Sequence, residues 1–157
     1  MVRVVDEGNR RVPVGAPVVV TAMFEGGEEI AAARALTRDF LTDLQAVHGL
    51  PVSNRVMGVV QLVVSELVTN ARRHAPGPCT LTLEASDGTI DVTVWDGDPT
   101  LPIARAADPG RVGQHGLEIV LALARGFTAR REPVGKHITA TIALADDPAG
   151  DPAGRPP

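Results

Sequence analysis

The stretch Ser65-Glu66-Leu67-Val68-Thr69-Asn70-Ala71-Arg72-Arg73-His74-Ala75 ends a long amphipathic segment, and the rest of the fold reads outward from it. At 100° per residue, Val56, Val60, Val63, Leu67 and Ala71 line up as one apolar helical stripe. Gly58, Gln61, Ser65, Thr69 and Arg72 fall opposite that stripe and are expected to face water. Glu66 and Asn70 stand at i and i+4, so they share one side of the helix and flank the stripe. A carboxylate and an amide at the edge of a buried face cost desolvation energy unless something pairs with them. A metal ion bound to a phosphate would pair with both. Most Glu-x-x-x-Asn pairs are plain surface polarity, so the weight of this one rests on what lies downstream.

Upstream, Ser53 is placed to cap this helix, and His48-Gly49-Leu50-Pro51 ends an earlier one. That earlier helix starts after Gly26-Gly27, with Glu28-Glu29 in its first turn, and runs to about Val47. Ile30, Ala33, Thr37, Leu41 and Leu44 form its inner face. Pro17 to Phe24 reads as a strand with Val18, Val20, Ala22 and Phe24 on one side. Residues 1–15, with Gly8, Pro13 and Gly15, read as a loose N-terminal arm.

Downstream, Pro76-Gly77-Pro78 stops the long helix. Thr80–Ala85 and Ile90–Trp95 alternate apolar and polar, and the Asp87-Gly88 pair between them marks an antiparallel hairpin. Gly97 to Gln114 carries Pro99, Pro102, Pro109, Gly110 and Gly113 without a sustained period, and its length suggests a functional lid. Helical spacing returns from Gly116 to Arg125, followed by strands near Phe127–Arg131 and His137–Leu144. The Pro/Ala/Gly/Asp tail, 146–157, reads as disordered. One domain over 16–145 follows, of the α+β class: a two-layer sandwich with a mainly antiparallel sheet packed under helices.

Bulk properties exclude several function classes. A net charge of −4 and a pI near 5.5 argue against nucleic acid or a membrane surface as partner. Cys79 is the single cysteine, so neither an intrachain disulfide nor a cysteine-rich zinc site is available. No apolar run approaches the length of a membrane span, and no secretory leader pattern opens the chain, so a cytoplasmic location is expected. Aromatic residues make up 3% and tyrosine is absent, which leaves Val, Leu, Ile and Ala to build the core.

The remaining chemistry sits at strand and helix ends. Asp96 closes a strand in Trp95-Asp96-Gly97-Asp98, where it can accept a hydrogen bond from an exocyclic amine such as adenine N6, or simply begin a turn. Gly113-Gln114-His115-Gly116-Leu117 opens a helix, and backbone N–H groups at such a start favour phosphate. His115 reads as a lid residue. Gly135-Lys136 reads as a hairpin turn whose lysine could reach a phosphate.

In combination, these pieces resemble the nucleotide-binding boxes of the histidine-kinase-like (Bergerat-fold) ATPases over residues 17–145. Glu66-Leu67-Val68-Thr69-Asn70-Ala71 resembles their N box, Val94-Trp95-Asp96-Gly97 their adenine-binding aspartate box, and Gly113 to Leu117 their lid glycine box. The run Ser65 to Ala75, with Gly135-Lys136 before the last strand, looks most like the small anti-sigma-factor serine kinases of Gram-positive bacteria.

The resemblance implies ATP and Mg²⁺ as cofactors and a role for each matching residue. Glu66 would be the general base or water-positioning carboxylate, and Asn70 would ligate Mg²⁺. Asp96 would read the adenine beside Gly97, and Gly113, Gly116 and Leu117 would hold phosphate. Thr139 or Thr141 would match a threonine near the base. Two departures stand out: Asp98 takes the place of the usual glycine two residues after Asp96, and Gln114-His115 separates the lid glycines. They leave a catalytically poor nucleotide- or protein-binding module of the same fold as the alternative to a serine/threonine kinase. The kinase reading implies a sigma factor and an antagonist (anti-anti-sigma) protein as partners, and homodimers are common among such kinases. A sensor histidine kinase is disfavoured, because no phosphoacceptor helix pair is present and His48 lies where a helix ends.

Overall fold

The computed structural model describes residues 2–6, 16–25, 29–74, 77–101 and 116–145. In chain order these form β1 (Val2–Asp6), β2 (Val18–Phe24), α1 (Glu29–Ala46), α2 (Asn54–His74), β3 (Cys79–Ser86), β4 (Thr89–Asp96), α3 (Gly116–Leu123), β5 (Gly126–Arg131) and β6 (Lys136–Ala143). The six strands make one sheet in the order β1-β2-β3-β4-β6-β5, and every neighbouring pair is antiparallel. The expected two-layer α+β architecture is the one observed.

One expectation about the start of the chain is corrected. Val2–Asp6, read as part of a loose arm, pairs with β2 along its whole length, from Val2↔Phe24 to Asp6↔Val20. Residues 7–15, most of the lid reading (102–115) and the tail from 146 lie outside the described residues.

Period-two alternation sends one row of each central strand toward the helices. That row holds Val18, Val20, Ala22 and Phe24 of β2, Leu81, Leu83 and Ala85 of β3, and Ile90, Val92 and Val94 of β4, all buried. The opposite face is dominated by hydroxyls: Thr21 pairs with Thr82 at 3.1 Å and Thr93 with Thr139 at 2.9 Å. Among the described residues, no helix is long and apolar enough to cross a membrane.

Helix α2 is the inner helix, packed on β3, β4 and β6 and flanked by α1 and α3. Its stripe of Val56, Val60, Val63, Leu67 and Ala71 is buried as expected, and so are Val64 and Val68. Ser65, expected to face water, is only 8% exposed. A helix covered on three sides has too narrow a wet strip to include it, and its hydroxyl donates instead to the Gln61 carbonyl at 2.9 Å.

Local chemistry sets the boundaries of these elements. The Ser53 hydroxyl accepts the Val56 N–H at 3.1 Å, capping α2. The α1 terminus closes on Gly49 at φ +67°, with Leu50 N–H donating to Leu44 O at 2.8 Å. Asp87 and Gly88 both take positive φ, 52° and 80°, the two-residue turn that matches strand twist in the β3–β4 hairpin. Between β5 and β6, Gly135 sits at φ +78°, and a Cβ on it would fall 1.9 Å from the Asp96 carbonyl oxygen.

Two stability outcomes follow. Ser53→Ala should lower unfolding free energy by about 1 kcal/mol, the worth of an N-cap, in chemical denaturation. Gly135→Ala should cost more than the roughly 1–2 kcal/mol of left-handed strain, because its collision partner is backbone. A Gly135→Ala variant as stable as wild type would contradict the packing of the 132–136 turn against Asp96.

Candidate functional site

The candidate residues converge on one end of the sheet, and the connections show why. Leu144 N–H donates to Gly88 O at 2.9 Å, and Ser53 N–H donates to Leu144 O at 3.2 Å, which ties the start of α2 to the far end of β6. From there α2 rises about 25 Å to Asn70, and β6 spans about the same distance. The helix therefore ends over the opposite edge, where β3 begins and Thr80 pairs with Trp95. That edge is also where Asp96 pairs with Lys136. Helix α3 starts there too and runs back, so that Arg125 N–H reaches Thr141 O at 2.7 Å.

Asp96 is the last inward-facing position of β4, following Ile90, Val92 and Val94, and is 1% exposed. Directly across the ladder, Lys136 is the first inward-facing position of β6 and equally buried. Lys136 Nζ donates to Asp96 Oδ1 at 2.9 Å and to the Asp98 carbonyl at 2.8 Å. The Asp98 N–H donates to the same Asp96 Oδ1 at 2.9 Å. Oδ2 of Asp96 has no hydrogen-bond partner among the described residues. The lysine expected to reach a phosphate is thus committed to Asp96, because alternation turns its side chain into the core beside that carboxylate.

Three further contacts hold the chain where it leaves β4. Trp95 Nε1 donates to Val134 O at 2.9 Å, Arg131 Nε donates to Pro99 O at 3.2 Å, and the Thr100 N–H donates to Asp98 Oδ1 at 2.9 Å. Gly97 is exposed, with open space where a Cβ would stand.

Glu66 and Asn70 lie one turn apart in the last part of α2, both half-buried. Neither side chain hydrogen-bonds a described residue, so a carboxylate and an amide stand together with their polar atoms available. Glu66 reaches the first residue of α3: a Cβ on Gly116 would come within 2.6 Å of Glu66 Oε2. Gly116 therefore admits the carboxylate to the start of α3, where unpaired backbone N–H groups favour negative charge. Leu117 follows within α3, while Gly113 and His115 lie outside the described residues.

Thr139 does not join this group, which corrects its expected place near the base. It alternates with the buried Ile138 and Ala140, so its hydroxyl stands on the helix-free face with Thr93. There it lines a groove of about 270 Å³ with Thr93, Thr128, Arg130, Glu132 and His137. Thr141 shares that face and donates to Asp91 Oδ1 at 2.5 Å. The apolar alternation of 138, 140, 142 and 144 carried this signal already. Sequence reasoning also missed Lys136 as a partner of Asp96, since the two lie 40 positions apart.

The donor set suits a magnesium nucleotide: a buried carboxylate oxygen for an amine, a glycine-opened helix start for phosphate, and an unengaged Glu/Asn pair beside it. Among the described residues, no cluster of three or more His, Cys, Asp or Glu is arranged to hold a metal by itself. Mg²⁺ commonly binds through few protein ligands together with substrate phosphates, which agrees with a site of this kind. No curated protein matches the chain. The family profile described as histidine kinase-like ATPase domain matches residues 28–142, from just before α1 to the end of β6. With that match covering most of the chain, and with the α+β sandwich and the convergent Glu66, Asn70, Asp96 and Gly116, this protein belongs to the histidine kinase-like ATPase domain family.

Proposed function

We propose that this domain binds ATP with Mg²⁺ and acts as a serine/threonine kinase on a small antagonist protein, releasing or capturing a sigma factor by partner switching. The observation that carries the reading is the convergence at one sheet edge of a buried carboxylate and a Glu66/Asn70 pair against the N-terminus of α3, with Oδ2 of Asp96 and the pair unpartnered among the described residues. Bound MgATP would supply the γ-phosphoryl group to the acceptor hydroxyl with ADP as the leaving group, the metal offsetting phosphate charge. Asp96 Oδ2 would accept a hydrogen bond from the adenine amine, and Asn70 would hold the metal. Backbone N–H groups at Gly116 and Leu117 face the phosphates. Glu66 takes the proton of the acceptor hydroxyl. The anti-sigma assignment is supported by the run Ser65 to Ala75 and by Gly135-Lys136, which resemble those kinases.

A phosphoryl group on the antagonist adds roughly two negative charges. Against a chain with net charge −4, that added charge disfavours rebinding and releases the product. Asp98, standing where the family pattern has glycine, favours a second reading: a nucleotide-binding regulatory module with little catalysis.

Calorimetry with ATP and Mg²⁺ tests the base site. Asp96→Ala should weaken ATP binding at least tenfold, since it leaves an amine without its acceptor in a desolvated site and exposes Lys136 to the same loss. Unchanged affinity in that variant would remove Asp96 from the site. Glu66→Ala should retain ATP binding while losing about 10²–10⁴-fold in phosphotransfer, the usual contribution of a positioned base. Asn70→Ala should instead lower the magnesium-dependent part of the affinity. A pull-down with and without ATP, followed by phosphosite mapping, addresses the partner. Recovery of an antagonist that binds tightly only when unphosphorylated is the expected result. Wild type that binds ATP yet shows no turnover, with Glu66→Ala indistinguishable from it, would favour the binding-module reading.

A further inference from the structure

Asp96 and Lys136 raise a question of orientation that the nucleotide reading leaves open. A carboxylate has two equivalent oxygens, and a base reader must present one of them consistently. Here two donors from different elements, Lys136 Nζ at 2.9 Å and the Asp98 N–H at 2.9 Å, converge on Oδ1 alone. Lys136 is itself held by a second acceptor, the Asp98 carbonyl at 2.8 Å, and its side chain is 3% exposed. Gly135 keeps the turn close enough for this, with no Cβ between it and the Asp96 backbone. The result is a carboxylate whose charge is balanced, whose rotation is blocked and whose other oxygen has no partner among the described residues.

We propose that Lys136 is a specificity-determining positioning residue of the base site: by claiming Oδ1 of Asp96, it leaves Oδ2 as the oxygen for a ligand and commits the site to a base that donates at that point. The inference rests on the ATP-binding reading above. A 6-amino purine meets this acceptor with an N–H, whereas a 6-oxo purine brings an oxygen against it. Removing Lys136 would leave an uncompensated carboxylate at this depth. With one of its two fixing donors gone, such a group admits water, which can donate as well as accept. Discrimination between the two bases then depends on the lysine, although the lysine touches neither.

An isosteric swap isolates the effect. In Asp96→Asn, both donors still require an oxygen, so the amide oxygen must take the place of Oδ1 and the NH₂ group must take the place of Oδ2. The outward group becomes a donor. The assay is magnesium-dependent binding of ATP and of inosine triphosphate, which differ at the 6-position, by calorimetry. Wild type should prefer ATP by about tenfold or more, the cost of leaving one buried polar group mismatched. Asp96→Asn should invert that order and prefer inosine triphosphate. Asp96→Asn/Lys136→Met should lose the inversion, because one of the two donors that orient the amide is gone. A structural lysine that merely stabilised the fold would lower both affinities together and leave the order unchanged.

Retention of the ATP preference in Asp96→Asn, or full inversion in the double variant, overturns the inference while leaving ATP binding intact. Tighter ATP binding in Lys136→Met would overturn it too, by showing that the lysine occludes the carboxylate. Should the double variant fail to fold, Lys136→Met decides: its preference for ATP over inosine triphosphate should shrink, and an unchanged preference overturns the inference. Wild type that binds neither nucleotide would overturn the ATP-binding reading itself, and this inference with it.

Discussion

The structure depends on the seam between α2 and the sheet. With few aromatic rings available, the core is made of short branched side chains, which fill space only when backbones approach closely and in register. Val56, Val60, Val63, Val64, Leu67 and Val68 are all buried to within 1% where α2 packs on β3, β4 and β6 and against α1 and α3. Interiors of this kind are close-packed, so a shift of α2 along its axis would be resisted by every layer at once. Because the seam fixes where α2 ends, it also fixes where Glu66 and Asn70 stand relative to Asp96. Their placement follows from apolar packing, not from any polar contact between them among the described residues.

The Asp96–Lys136 pair has a different standing. Burying two charges costs about as much as their attraction returns, so such a pair is weak support for overall stability. Its presence on the helix side of the sheet, at two positions that continue aliphatic rows, therefore does more to fix the exit of β4 than to add stability. The surrounding contacts agree with this: Trp95, Arg131 and Lys136 all fasten the exit of β4 to the segment around the β5–β6 turn. The chain leaves the sheet from a fixed point.

How much of this was legible in the sequence varies with the range of the interaction. The stripe of α2, the Asp87-Gly88 hairpin and the Ser53 cap depend on residues a few positions apart, and each is found as read. Strand β1 was hidden because its pairing with β2 spans the glycine- and proline-bearing segment that made the whole arm look loose. Ser65 failed for a related reason: a helical wheel shows where the apolar stripe lies but not how many neighbours a helix has. Thr139 was readable, since alternation with Ile138 and Ala140 assigns its face, but a resemblance in position was given more weight than that parity. Glu66, Asn70, Asp96 and Gly116 could be singled out because their spacing along one chain resembles a known pattern. Lys136 as the partner of Asp96 could not be, for no local rule sets the register of β4 against β6.

The separation between those two strands has a consequence for the order in which the molecule forms. The β3–β4 hairpin closes through a two-residue turn and can form early, since short loops are reached fastest. Asp96 enters the structure with that hairpin, before its cation is near. Lys136 arrives 40 positions later, only when α3 and β5 have brought β6 alongside. Until then the carboxylate must stay hydrated, which keeps water at the end of the nascent sheet. Docking of β6 against β4 thus brings Lys136 to Asp96 and buries both charges in the same event.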